Sequence, residues 1–243
     1  MTARRGARGR DRDPARALAG WPVTYGGVDG VEAVLLDFDG PVCAVFATLP
    51  AREVAAELHR GPAFDAYRVP GEVPTADPIE VLRIAFRRGA PREVLEELDD
   101  ELARAENAAV SGARPTSGAH AAVRSLLAAG LGVAVVTNNA ASCVTSYLVR
   151  NGLPALPVVG RRRGRPELLK PDPGVVAAAC ELLRVRPAGA VLVGDSVSDV
   201  AAARSAGVRS VGFATTEVRA DRLVRAGAAA VLRSWADADP GWV

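Results

Sequence analysis

Lysine is all but missing from this chain. Of its 30 basic residues, 29 are arginine and one is lysine, Lys170. A P-loop needs Gly-Lys-Ser/Thr, and the only lysine here is followed by Pro171, so that class of nucleotide site is excluded. Histidine is nearly as scarce. His59 and His120 both fall in helical stretches, a poor basis for a zinc site. The three cysteines, Cys43, Cys143 and Cys180, are odd in number and far apart, so they build no disulfide framework. Each reads as a small buried residue, with Cys43 kept in view because it follows an acidic cluster. Apolar runs stop well short of the roughly 20 residues that span a bilayer. The longest, LLAAGLGVAVV at 126–136, is broken by glycines. No membrane span is expected, and unpaired cysteines without a signal peptide point to the cytoplasm. Aromatics make up only 5% of the chain, so the core must come from Val, Leu and Ala, within a hydrophobic content of 49%.

What is present starts with VEAVLLDFDG at 31–40. An apolar run of this kind reads as a buried parallel strand, and ligands in open α/β sheets sit at the carboxyl ends of such strands. Residues two apart in an extended chain point the same way, so Asp37 and Asp39 should project together. Adjacent carboxylates repel and raise each other's pKa. Either a divalent cation lies between them, or the two do different jobs, or the segment is simply a strand followed by an Asx-type turn. Two more apolar runs end in polar residues: GVAVVTNN at 132–139, with Thr137 and Asn138, and AVLVGDSVSDV at 190–200, with Asp195 and Asp199. Lys170 stands between them in LLKPDP. Asp195 and Asp199 could equally be the N-terminal acids of a helix, stabilising it through its dipole.

Elsewhere the pattern divides the chain. Residues 51–60 and 78–111 carry helical spacing of apolar residues, with Asp77-Pro78 and Pro91 as starts. Between them, 61–76 is too rich in Gly and Pro for regular structure. From about 115 onward, helices and strands alternate to the end. That argues for an α/β fold, a doubly wound parallel sheet, with an all-α segment inserted after the first strand.

The ordered set Asp37/Asp39, Thr137, Lys170 and Asp195/Asp199 resembles the four motifs of the haloacid dehalogenase superfamily, over about residues 31–232. The inserted helices resemble the small (C1-type) cap of its phosphoglycolate-phosphatase-like branch. The resemblance implies a Rossmann-like core at 31–46 and 114–243, a helical cap at 47–113, and a Mg²⁺-dependent phosphatase acting on a small phosphorylated metabolite. It makes Asp37 the nucleophile that forms an aspartyl-phosphate and Asp39 the acid and then base. Thr137 and the Asn138 N–H hold phosphoryl oxygens. Lys170 supplies charge to the phosphate and to Asp37, and Asp199 orients Lys170 or a metal-bound water. Asp37, Asp39 and Asp195 form the metal site. An all-oxygen carboxylate set suits Mg²⁺. A haloacid dehalogenase would need neither Asp39 nor a metal. A sugar-phosphate phosphomutase would need cap groups that exclude water. A non-catalytic phosphometabolite-binding protein would usually lack a motif residue. In a chain that uses arginine for generic charge, the single lysine inside a motif argues for a slim ammonium there. The family often has Thr where this chain has Pro41, which stiffens the turn.

Charge is uneven. Residues 1–30 balance to +3, 44–113 to −5 and 114–243 to +7. The first 30 read as a disordered Arg-rich tail. No nucleic-acid partner is expected apart from weak contact by that tail. The RRRGR loop at 161–165 is either a lure for anionic substrates or a solvated loop. In the cap loop, Tyr67 and Arg68 are the first candidates for substrate specificity.

Overall fold

A computed structural model describes residues 30–238 of the 243. The tail expected at 1–30 therefore lies, but for Gly30, outside the described residues. In chain order the first half runs β1 (Ala33–Leu36), β2 (Cys43–Ala44), α1 (Ala51–Arg60), α2 (Pro78–Arg87), α3 (Arg92–Ala109), β3 (Arg114–Pro115) and α4 (Ala119–Ala128). The second half runs β4 (Gly132–Val136), α5 (Ala141–Arg150), β5 (Val158–Val159), α6 (Gly174–Leu183), β6 (Ala190–Gly194), α7 (Val197–Ser205), β7 (Arg209–Phe213), α8 (Glu217–Ala226) and β8 (Ala230–Leu232).

Six strands form one parallel sheet in the order β5-β4-β1-β6-β7-β8. This is the doubly wound α/β fold that the alternating pattern predicts. Its hydrophobic strands are buried on both faces, as parallel sheets require. In β1, Val34 and Leu36 join one layer with Leu126, Val135 and Tyr147. Ala33 and Leu35 join the other with Val176, Ala179 and Ala203. Each buried Leu or Val side chain contributes about 1.5–3 kcal/mol. Strand β1 lies between β4 and β6, so strands are added outward from it in both directions. That is the switch point at which such sheets open a crevice.

The segment between β1 and β4 builds a separate apolar cluster from Val54, Leu58, Phe64, Leu82, Leu98 and Leu102. Its helices start where the sequence says they should: the Asp77 side chain accepts the Ile79 N–H at 2.9 Å, with Pro78 in the first turn. Two features differ from the expectation. Pro62–Tyr67 winds into a 3-10 helix inside the 61–76 loop, because Pro62 is pre-set for a first helical turn and lacks the N–H that position leaves unpaired. And β2 pairs antiparallel with β3, tying the two links to the helical segment side by side. Two-residue strands carry no periodic signal. Among the described residues, no helix is long and apolar enough to cross a membrane.

Candidate active site

The end of β1 delivers Asp37 and Asp39 to a cleft of about 340 Å³. The core side of that cleft is lined by Asp37, Asp39, Thr137, Asn138 and Lys170. The turn after β1 is pinned at every residue. The Asp39 carboxylate accepts the Val45 N–H at 2.8 Å, the Gly40 carbonyl accepts Thr116 Oγ1 at 2.6 Å, and the Pro41 carbonyl accepts Trp235 Nε1 at 2.7 Å. Gly40 has φ +115°, and a Cβ there would sit 2.6 Å from Asp195 Cγ. Only glycine lets this turn approach Asp195 so closely.

Lys170 is buried at the floor. Its Nζ donates to Asp37 Oδ1 at 2.8 Å, to Asp199 Oδ1 at 2.5 Å and to the Val136 carbonyl at 3.1 Å. Asp199 is fixed in turn, since its Oδ2 accepts the Ser196 N–H at 3.0 Å and Ser196 Oγ at 2.6 Å in the capping box of α7. The helix-terminal and the lysine-orienting readings of Asp199 therefore hold together. Asp37 Oδ1 also accepts the Phe38 N–H at 2.8 Å. Thr137 is buried and bonded to Asn139 at 3.0 Å, while Asn138 Oδ1 accepts the Lys170 N–H at 2.9 Å.

Oxygens of Asp37, Asp195 and Asp199 lie within 4.8 Å of one another. The Asp39 carboxylate is not in that group, because it is turned onto Val45. Three carboxylates face one ammonium, so negative charge is left over. Burial first, then Asp199, pushes the Asp37 carboxyl up to about 8 despite Lys170. Burial and Asp199 likewise raise Asp195 to about 6, with Arg219 at 3.3 Å opposing them. Asp39 opens onto the cleft, yet enough protein surrounds it that burial raises it too. For Lys170, burial works against the charge, and Asp199 and Asp37 outweigh it, so the ammonium persists. The donor set fits a hard divalent cation: crowded carboxylate oxygens, surplus negative charge, and no histidine or thiolate among them. His120 instead bonds Tyr147 Oη at 2.8 Å, and His59 stacks near Phe64. Cys43 is buried, and burial pushes its thiol up, away from reactivity.

Two expectations are corrected. Tyr67 and Arg68 do not line the cleft. Arg68 spends its guanidinium on the His59 and Arg60 carbonyls at 2.9 and 2.8 Å, and Tyr67 meets Phe64 edge to face. On the side of the inserted helices the cleft is lined by Phe46, Asp77, Ile79 and Arg83 among others, with Arg83 donating to the Lys170 carbonyl at 2.6 Å and pairing with Glu80 at 3.5 Å. The spacing of Ile79 and Arg83, one helical turn apart after a capped start, was the available signal. The basic loop is not a lure either. Arg161 is buried against Asp99 and Glu106, Arg163 pairs with Asp100 and Glu96, and Arg165 pairs with Glu167. Acids of α3 and Glu167 pair three of its four arginines, and Arg162 is exposed.

The model of the haloacid dehalogenase-like hydrolases matches residues 31–207. The chain belongs to that family. This hydrolase is 34% identical over 182 residues to the phosphoglycolate phosphatase, plasmid, of Cupriavidus necator, covering 72% of this chain and 78% of the relative. A haloacid dehalogenase family hydrolase from Deinococcus radiodurans, solved with bound phosphate and sodium, shares 26% identity at a TM-score of 0.55, over 88% of this chain and 98% of that one. A hydrolase from Pseudomonas syringae has the same fold, with a TM-score of 0.64 at 22% identity, over 85% of this chain and 95% of that one.

Proposed function

We propose that this hydrolase is a Mg²⁺-dependent phosphatase that cleaves a small phosphomonoester through an aspartyl-phosphate on Asp37. The observation that carries the reading is Lys170 Nζ bridging Asp37 and Asp199 on the floor of a cleft that also holds Asp39 and Thr137. Asp37 Oδ1 is occupied by Phe38 N–H and Lys170, which leaves Oδ2 to attack phosphorus. The new Oδ2–P bond forms as the bond from phosphorus to the leaving oxygen breaks. Asp39, with its pKa raised by burial, gives that oxygen its proton and then takes one from the water that splits the acyl phosphate. Thr137 and the Asn138 N–H hold the phosphoryl oxygens where charge builds, and Lys170, with its N–H groups on Asp37, Asp199 and the Val136 carbonyl, supplies positive charge beside them. The Asp37 and Asp195 carboxylates and the main-chain carbonyl of Asp39 would hold Mg²⁺, with Asp199 beside them. The cation, when bound, neutralises phosphoryl charge and keeps the nucleophilic carboxylate ionised.

The small cleft, the guanidinium of Arg83 on its cap side and the similarity to the Cupriavidus enzyme support a short, anionic leaving group, with 2-phosphoglycolate the first candidate. A cytoplasmic setting goes with this reading, supported by three buried, unpaired thiols. The test is phosphate release from a panel of phosphorylated metabolites with Mg²⁺. We expect turnover of a short carboxylated phosphomonoester that disappears on chelation. Full activity after exhaustive chelation, or release of halide rather than phosphate, would contradict the reading.

A further inference from the structure

Helix α3 reaches the floor of the cleft through two buried acids. Asp99 and Glu106 are 5% and 0% exposed, on the same stripe as Leu95, Leu98 and Leu102. Asp99 accepts Arg161 Nε at 2.8 Å and the Gly164 N–H at 3.0 Å. Glu106 Oε1 accepts Arg161 Nη1 at 2.9 Å and Asn139 Nδ2 at 3.0 Å. Its Oε2 accepts the Ala140 N–H at 2.9 Å. Arg161 Nη1 donates further to the Asn138 carbonyl at 2.8 Å, and the Arg161 N–H donates to the Asn139 carbonyl at 2.9 Å. Apart from the Gly164 N–H, everything gripped lies in 138–140, directly after Thr137. From there Asn139 bonds Thr137, and Asn138 bonds the main chain of Lys170. The approach is close: a Cβ on Gly160 would meet Asn139 O at 2.8 Å.

We propose that Asp99, Arg161 and Glu106 are positioning residues that set the phosphate-binding loop and the Lys170 main chain from helix α3, so that anion binding at the loop and the seating of α3 support each other. The inference rests on the phosphatase reading of the site. None of the three lines the cleft, so they act through Asn138, Asn139 and Ala140. Buried ion clusters can often be replaced by apolar side chains of similar volume without loss of stability. An apolar replacement here would leave the Asn138 carbonyl and the Ala140 N–H without their partners. It would also free the loop to turn, and misplacing a binding group by an ångström is costly to a reaction. Coupling of this kind is reciprocal by linkage.

The test uses Glu106→Gln and Arg161→Lys in the full chain with Mg²⁺, an aryl phosphate as substrate and inorganic phosphate as competitive inhibitor. In both variants KM and the phosphate inhibition constant should rise together, by about tenfold, with kcat falling by less than about threefold. A merely structural role would lower the melting temperature and leave both constants alone. Folded variants with both constants within about twofold of wild type would overturn the proposal. If neither variant folds, amide hydrogen exchange of the wild type decides. Saturating phosphate should slow exchange in 138–140 and in the last turns of α3 together, and protection confined to the loop would overturn it. If the wild type binds phosphate but hydrolyses no ester, the phosphatase reading fails, and the phosphate affinities of the variants, measured by calorimetry, still decide this one.

Discussion

Two buried cations in this molecule are each held between two carboxylates, and they do opposite things. Arg161 lies between Asp99 and Glu106, and Lys170 lies between Asp37 and Asp199. Around Arg161 the fork is filled: Nε, Nη1 and Nη2 all find oxygens, and the acids' remaining oxygens find main-chain or amide N–H groups. Around Lys170 a third acid, Asp195, adds charge that nothing buried balances, and the cluster faces a cleft. A buried cluster whose bonds are all made holds segments of chain in place. One left with surplus charge at a strand end is poised to take up a cation and an anionic substrate. The side-chain choice follows. The wide guanidinium spans two segments of chain, while the compact ammonium leaves room for a ligand.

The two cations differ most in what their carboxylate partners do, and Asp37 has the largest expected effect. Asp37→Asn should cut phosphate release by about 10³-fold or more. It should also make the chelated protein more stable at neutral pH. The sign follows from burial: the native carboxyl titrates at about 8 against 3.8 in the open chain, so the folded state holds the proton more tightly. Ionisation therefore destabilises the fold progressively as pH rises from about 4 to 8, and asparagine removes that cost. Thermal melts in chelator should show the variant above wild type at neutral pH and level with it near pH 4. At Arg161 the signs reverse. Arg161→Met leaves two carboxylates without their cation and should cost about 3–5 kcal/mol in denaturant unfolding. Its kcat should stay within about tenfold of wild type. Lys170→Arg keeps the charge but puts a fork where a point fits, and should lower kcat by roughly 10²–10³ with native circular dichroism. An arginine variant as active as wild type would show that the sole lysine is incidental. The smallest effect is expected at the cleft's cap wall. Arg83→Ala should raise KM for 2-phosphoglycolate by about tenfold, and KM for an aryl phosphate whose ring carries no charged group by much less.

The two clusters were unequally legible. Every member of the Lys170 cluster sits at or just beyond the end of an apolar run, or in a loop marked by proline, so position along the chain announced it. The parallel sheet was equally plain, because its strands are continuous Val- and Leu-rich runs separated by helical spacing. The Arg161 cluster was hidden in a run of four arginines that looked like solvated charge. Its partners were hidden among the acids of α3, where Asp99 and Glu106 occupy positions that periodicity assigns to the apolar face. The balance of −5 in one segment against +7 in the next was the trace of it. Long-range pairing of that kind needs the register between elements, which no local pattern carries. Trp235 was unreadable for the same reason: it closes the β1 turn from 194 residues away.

In the proposed reaction Asp37, and no other residue, carries the phosphoryl group between substrate and water. The direct measurement is rapid acid quench of the enzyme turning over an aryl phosphate with Mg²⁺, followed by peptide mass spectrometry. A phosphoryl adduct is expected on Asp37, absent in Asp37→Asn and accumulating when Asp39→Asn slows its hydrolysis. An adduct on any other residue, or steady turnover with no adduct even in Asp39→Asn, would contradict it.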